Sequence, residues 1–272
     1  MMIPMTAITA SSFHDSSVPS DLRVLGGLSA ALVVMMLASC VGLLVDQRMW
    51  KMDSVWLKPL KFQSSMLIQT LTVLWGLRAI ALPPGAVRRW LTGAWIAAIT
   101  FEAAYITLQA ARGVGSHFNR STPWESIASS LMLVGAVTLV LIPLWIGVVA
   151  LERAVREGGN RRLEALAIGF ISGAVLAGWS GGLMGPQGFF SEPLMEPIQR
   201  MPWTGWVISQ ADLRVAHFTG LHQMQAIPAM SFIASRMFSS HAWHRALLGG
   251  LLVLGVVLTV TFSRVPLPWP SL

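Results

Sequence analysis

The stretch LRVLGGLSAALVVMMLASCVGLLVD, residues 22–46, carries a charge only at Arg23 and Asp46. A helix needs about 20 apolar residues to cross a bilayer. Within lipid, only a helix or a closed barrel satisfies its own backbone polar groups. This run therefore predicts a membrane span. Working outward, apolar segments recur at 57–82, 90–112, 125–151, 163–185, 212–238 and 245–264. Turn signals such as PPGAVRRW, RGVGSHFNRSTPW and ERAVREGGNRR separate them.

Composition agrees with that reading. Apolar residues make up 54% of the 272-residue chain and charged residues only 11%, against about 25% charged in a soluble domain. The predicted fold is all-α, a polytopic membrane helical bundle of about seven transmembrane helices. It forms one domain over 22–264, between a polar amino-terminal segment at 1–21 and a short tail at 265–272. Within it, the loop PQGFFSEPLMEPIQRMPWTGWVISQA at 186–211 holds four prolines and several aromatics, which suits an ordered amphipathic cover. The single cysteine, Cys40, excludes an intrachain disulfide and is expected as a buried thiol on the first span.

The net charge of +7 comes mostly from arginines near span ends, with no dense basic patch. Contact with a lipid bilayer and anionic lipid is expected, and nucleic acid is not. Arg88, Arg89, Arg153, Arg156, Arg161 and Arg162 fall in the loops at 83–89 and 152–162. By the positive-inside rule those loops are cytoplasmic. That places the amino terminus inside and residues 186–211 outside.

Three spans carry polar faces. In ADLRVAHFTGLHQMQAIPAM (211–230), a continuous helix places Arg214, His217, His222 and Gln225 within an arc of roughly 140°. Asp212 suits the helix cap, and Pro228 is expected to kink the span. In FEAAYITLQAARGVGSHFN (101–119), Glu102, Tyr105, Gln109 and Arg112 share an arc of about 80°. Gly113 and Gly115 then end the helix, leaving Ser116, His117 and Asn119 at its mouth. On the second span, Lys58, Lys61, Ser65, Gln69 and Thr72 cluster within roughly 100°. With seven spans, these three regions lie at one membrane surface and can line one pocket. A carboxylate as deep as Glu102 is costly without a partner, so it is expected to pair with Lys61 or Arg214. His241 and His244 are expected as interfacial residues on the opposite side.

The strings WLKPLKF, QAARGVGSHFN and DLRVAHFTGLHQMQ resemble those of a family of bacterial multipass membrane proteins. The resemblance covers about residues 53 to 235. It implies a bacterial inner-membrane protein and transfers no activity, because none is established for that family. A looser likeness is to seven-span membrane hydrolases related to alkaline ceramidases, which use serine, aspartate and three histidines around zinc. Ser116, His117, Asp212, His217 and His222 offer those residue types. Here, however, the histidine pair is spaced H-x-x-x-x-H on the sixth span.

Two chemistries follow from the polar faces. His117, His217 and His222 could ligate zinc or copper, with Glu102 or Asp212 as base or supporting partner. The i, i+5 histidine spacing serves one ion only across a distorted turn. Lys58, Lys61, Arg112 and Arg214 outnumber Glu102 and Asp212, which suits the head of an anionic lipid or other small amphiphile. The expected activity is a metal-assisted or acid–base hydrolase or transferase. Catalysis would fall to Glu102, His117, His217 and His222, and substrate contact to Lys58, Lys61, Tyr105, Gln109, Arg112, Asn119, Arg214 and Gln225. A proton-coupled transporter of a small anion and a haem or copper oxidoreductase use the same groups and remain alternatives.

Overall fold

The computed structural model describes residues 20–50, 53–188, 190, 198–201, 204–237 and 240–268. Most of the polar segment expected at 1–21, the end of the 265–272 tail and part of the 186–211 loop therefore lie outside the described residues. Among the described residues the chain is all-helical apart from a two-residue-by-two-residue hairpin, β1 (Met49–Trp50) with β2 (Asp53–Ser54), and isolated bridges. The helices are α1 (Ser20–Val45), α2 (Leu57–Ala79), α3 (Ala86–Arg112), α4 (Pro123–Arg156), α5 (Arg161–Gln187), α6 (Leu213–Leu221), α7 (Gln223–Met237) and α8 (His241–Phe262).

Local chemistry sets most helix ends. Thr122 caps α4 by accepting from the Glu125 N–H at 3.2 Å, and Pro123 occupies the first turn, where its missing N–H is harmless. Asn160, Asp212 and Ser240 cap α5, α6 and α8 in the same way. Gly113 ends α3 at φ 70°, a left-handed conformation that glycine adopts freely.

Among the described residues, five helices are long and apolar enough to cross a membrane: α1, α3, α4, α5 and α8. The seven apolar segments are thus not equivalent. α2 falls short because Lys58, Lys61, Gln63 and Gln69 interrupt it. The segment expected as one helix over 212–238 is instead broken at His222 into α6 and α7. Pro228 does not mark the break; α7 runs through it. The break falls where α5 comes closest: a methyl on Gly173 would lie 2.5 Å from Met224 Cγ and 3.1 Å from the Met224 nitrogen. Register nevertheless continues across it. Gly220 packs on Leu176, Met224 on Gly173 and Pro228 on Gly169, an antiparallel ladder along α5.

The core joins Leu25 and Leu32 of α1, Val73 and Leu77 of α2, Trp95, Ile99 and Ile106 of α3, Ile146 of α4, Phe170 of α5 and Met224 of α7. Ala165, Ile227 and Leu248 form a smaller cluster that seats α8. α1, α4 and α8 turn large apolar side chains outward, as lipid-facing helices do. Cys40 is among the outward residues, so the expected buried thiol is corrected: it is exposed on α1.

Candidate functional site

The starts of α2, α4 and α6 and the end of α3 meet at one end of the bundle, here the mouth. Lys58 in the first turn of α2 places Nζ 3.1 Å from His117 Nδ1, and Ser116 Oγ lies 3.2 Å from the same nitrogen. An ammonium only donates, so Nδ1 accepts and the proton of the neutral ring sits on Nε2. Burial, and then the Lys58 charge, push the His117 imidazole down to about 3. Phe62 packs on its ring at 5.2 Å between centroids. His117 is a neutral, fixed imidazole.

Glu102 lies deeper on α3, 3% exposed, with its Oε1 lacking a hydrogen-bond partner. It presses on α4 at Gly135, where an added methyl would sit 2.8 Å from Oε1. The pairing expected with Lys61 or Arg214 is corrected. Lys61 Nζ donates to the Thr204 carbonyl at 2.7 Å, and Arg214 bonds Asp212 at 2.5 Å. Both cations are drawn to the loop above, and the charge acting on Glu102 is that of Lys58.

The expected face of α3 holds together as a hydrogen-bonded line. Gln109 Nε2 donates to the Tyr105 hydroxyl at 2.8 Å, and Arg112 donates to Gln109 Oε1 at 2.7 Å. Arg112 also reaches Glu125 at 3.1 Å, and Ser121 and Thr122 donate to the same carboxylate. Glu125 was missed in the sequence, although T-x-x-E at 122–125 is a capping-box signature. With this partner, Arg112, Gln109 and Tyr105 form a strut between α3 and α4. Asn119 folds the connecting turn, donating to the Gly115 carbonyl and accepting from Ser121.

Residues 198–201 and 204–208 cover the mouth, bridged by Ile208 N–H to Gln199 O at 2.9 Å and Met201 N–H to Trp206 O at 2.8 Å. One ion pair and two hydrogen bonds staple them down. Arg200 meets Asp53 at 3.1 Å, Arg214 donates to the Gly205 carbonyl at 3.1 Å, and Asp212 accepts from the Val207 N–H at 2.9 Å.

The histidines do not share one centre. His217 Nδ1 lies 3.2 Å from Ser180 Oγ on α5, while His222 Nδ1 lies 3.1 Å from Gln225 Oε1 at the break. Gln225 in turn donates to Thr72 Oγ1 at 2.8 Å. Among the described residues no three His, Cys, Asp or Glu side chains form a group able to hold a metal. His117, His217 and His222, expected to ligate zinc or copper, are each bonded to a different partner.

No family model, curated protein or solved structure matches the chain. The functional reading therefore rests on these side chains.

At the far end, Glu164 Oε1 accepts from Arg245 at 2.6 Å, and its Oε2 lies 3.3 Å from His241 Nε2 and 3.9 Å from His244 Nδ1. His244 Nε2 is 2.7 Å from Ser231 Oγ. The side chain of His244 is 1% exposed, which corrects its expected interfacial position.

Proposed function

We propose that the protein is a seven-crossing bacterial inner-membrane protein whose mouth faces outward and acts on an anionic amphiphile as an acid–base hydrolase or transferase. Three features support seven crossings. Five helices meet the length and apolarity of a span, α2 pairs along α1 and α3 through Ser39, Gln63 and Thr107, and α6 with α7 follows α5 throughout. The arginine-rich loops at 83–89 and 152–162 then put the amino terminus in the cytoplasm. Labelling tests this on a Cys40→Ser background. A cysteine at the exposed Ser209 reacts from outside intact cells, and one at Gly159 does not; the reverse pattern overturns the orientation.

The observation that carries the activity is Lys58 on His117, above a buried Glu102. Lys58 and Lys61 supply the positive field for the anionic head. His117, neutral and protonated at Nε2, donates to oxygen on which negative charge develops. Glu102 serves as the proton acceptor, since Asp212 is occupied by Arg214 and the cap of α6. Vesicles of phosphatidylglycerol with the protein in nanodiscs provide the assay. Lys58→Met weakens binding, whereas Glu102→Gln binds and does not turn over. Unchanged turnover in both variants overturns the reading.

The break at His222 favours a second reading, proton-coupled transport of a small anion, because discontinuous helices line transporter sites. Uptake into proteoliposomes without chemical change would select it.

A further inference from the structure

The interruption of the sixth crossing leaves a set of polar groups that the mouth does not use. The Gln225–Thr72 bond joins residues 153 apart in the chain. The same offset carries Lys61 to Arg214, and these two side chains bond the adjacent carbonyls of Thr204 and Gly205. α2 and the α6–α7 crossing therefore run parallel in one register from mouth to break. That register sets Gln69 level with His222. Gln69 is one turn from Thr72 and on the same side of α2, because residues i and i+3 are neighbours on a helix surface.

Gln69 is 7% exposed, and neither its amide nitrogen nor its amide oxygen has a hydrogen-bond partner. An unsatisfied buried amide costs on the order of 1–3 kcal/mol for each group left unpaired. Native interiors rarely leave both ends of one amide bare. Across from it, Gln225 Nε2 donates to Thr72, so its Oε1 faces His222 Nδ1 as an acceptor. That fixes the His222 proton on Nδ1 and leaves a lone pair on Nε2, for which the described residues supply no partner.

We propose that the break is a binding site for a hydroxyl-bearing group, held by Gln69 and His222. The chemistry is specific. The ligand must donate to His222 Nε2, and it must donate to or accept from the Gln69 amide, which offers both. A hydroxyl does this and an anion does not, since Nε2 presents only a lone pair. Trp206 of the cover meets Phe218 edge-on at 5.2 Å between ring centroids, and Phe218 tilts against His222 at 4.2 Å. An aromatic ladder thus connects the mouth to the site. The hydroxyl comes either from water or from an alcohol dissolved in the membrane. The site does not depend on the mouth being catalytic.

Nitrogen NMR of histidine-labelled full-length protein in nanodiscs reads it, with n-decanol as the alcohol probe. The expected spectrum has His222 protonated at Nδ1, with Nε2 shifted upfield as a hydrogen-bonded acceptor. A signal that decanol leaves unchanged assigns the site to water; a saturable decanol shift assigns it to an alcohol. Gln69→Met removes the upfield shift and leaves the melting temperature level or lower, because a bound group is lost with the amide. The proposal is overturned if Nε2 carries the proton or shows the shift of a bare nitrogen. It is also overturned if Gln69→Met raises the melting temperature, as replacing an orphaned amide by an apolar isostere would. A Gln69→Glu variant, which keeps an acceptor, guards against misfolding as the cause of a lost signal.

Discussion

The two ends of the bundle use the same residue types for opposite purposes. At the mouth, four carboxylates each hold an arginine: Asp46 with Arg48, Asp53 with Arg200, Glu125 with Arg112 and Asp212 with Arg214. Two of these pairs bind segments far apart in sequence or fix the cover in place; Asp53 and Arg200 are separated by 147 residues. At the far end a single carboxylate, Glu164, gathers Arg245, His241 and His244. Two of the far end's arginines stay outward, Arg245 at 62% and Arg156 at 75% side-chain exposure, while Arg88 is buried and donates to the Leu82 carbonyl. Arginine builds the mouth and anchors the far end. Lys58 and Lys61 at the mouth sit on an imidazole and on a backbone carbonyl.

The largest contrast is in turnover. His117→Ala lowers it by about 10²- to 10⁴-fold, the usual worth of a positioned proton-transfer group, while His241→Ala stays near wild type. Equal losses in the lipid-turnover assay would erase the distinction between the ends. Next comes stability. Asp212 has a side chain with 0% exposure, so Asp212→Asn strands Arg214 and costs about 3–5 kcal/mol. Glu152→Gln breaks an exposed pair with Arg156 and costs under about 1 kcal/mol. Denaturant unfolding in detergent compares the two, and matching costs would mean the mouth pairs are ornamental.

A smaller effect concerns the seam between α5 and the α6–α7 pair. Gly173→Ala drives a methyl into Met224 and costs about 1–3 kcal/mol. Gly182 on the same helix has nothing within 4 Å, so Gly182→Ala is neutral or stabilising by up to about 1 kcal/mol. The last effect is graded with pH. His117 falls from an ordinary 6.5 to about 3 on folding. Between those values the unfolded chain binds the extra proton, so stability declines as pH drops from 6.5 toward 3. The slope is below about 1.4 kcal/mol per pH unit. His117→Asn flattens that part of the curve; an unchanged curve would place the imidazole in water.

The helices were legible because lipid leaves the backbone no alternative, and runs such as 22–46 say so directly. Polar faces were legible too, since a 100° turn per residue is enough to line up Tyr105, Gln109 and Arg112. What each face meets was not legible. Arg112 turns to Glu125 across a loop, and Lys61 and Arg214 turn to the carbonyls of Thr204 and Gly205. Nothing in the periodicity of either helix specifies a partner on another. The break at His222 escaped for a related reason: it follows from the close approach of Gly173 on α5, whereas Pro228 was the visible breaker. Five of the seven apolar runs proved long and greasy enough to span unaided, because a polar face lowers hydropathy while it builds a site.

That last property bears on how the chain is made. In the seven-crossing arrangement, α2 and the α6–α7 crossing are too polar to partition into lipid as solitary segments, since single charges cost about 2.5–3.5 kcal/mol at a span centre. α2 has a companion already in place, as Ser39 of α1 meets Gln63 and Gly42 meets Trp56. The broken crossing finds only half of its companions upstream. Thr219 and Ser231 wait for Thr259 and His244 of α8, which the ribosome delivers afterwards. In that arrangement, synthesis passes through a stage in which α6 and α7 are held at the membrane by α5 and by the Gln225–Thr72 bond to α2, and the final helix commits them.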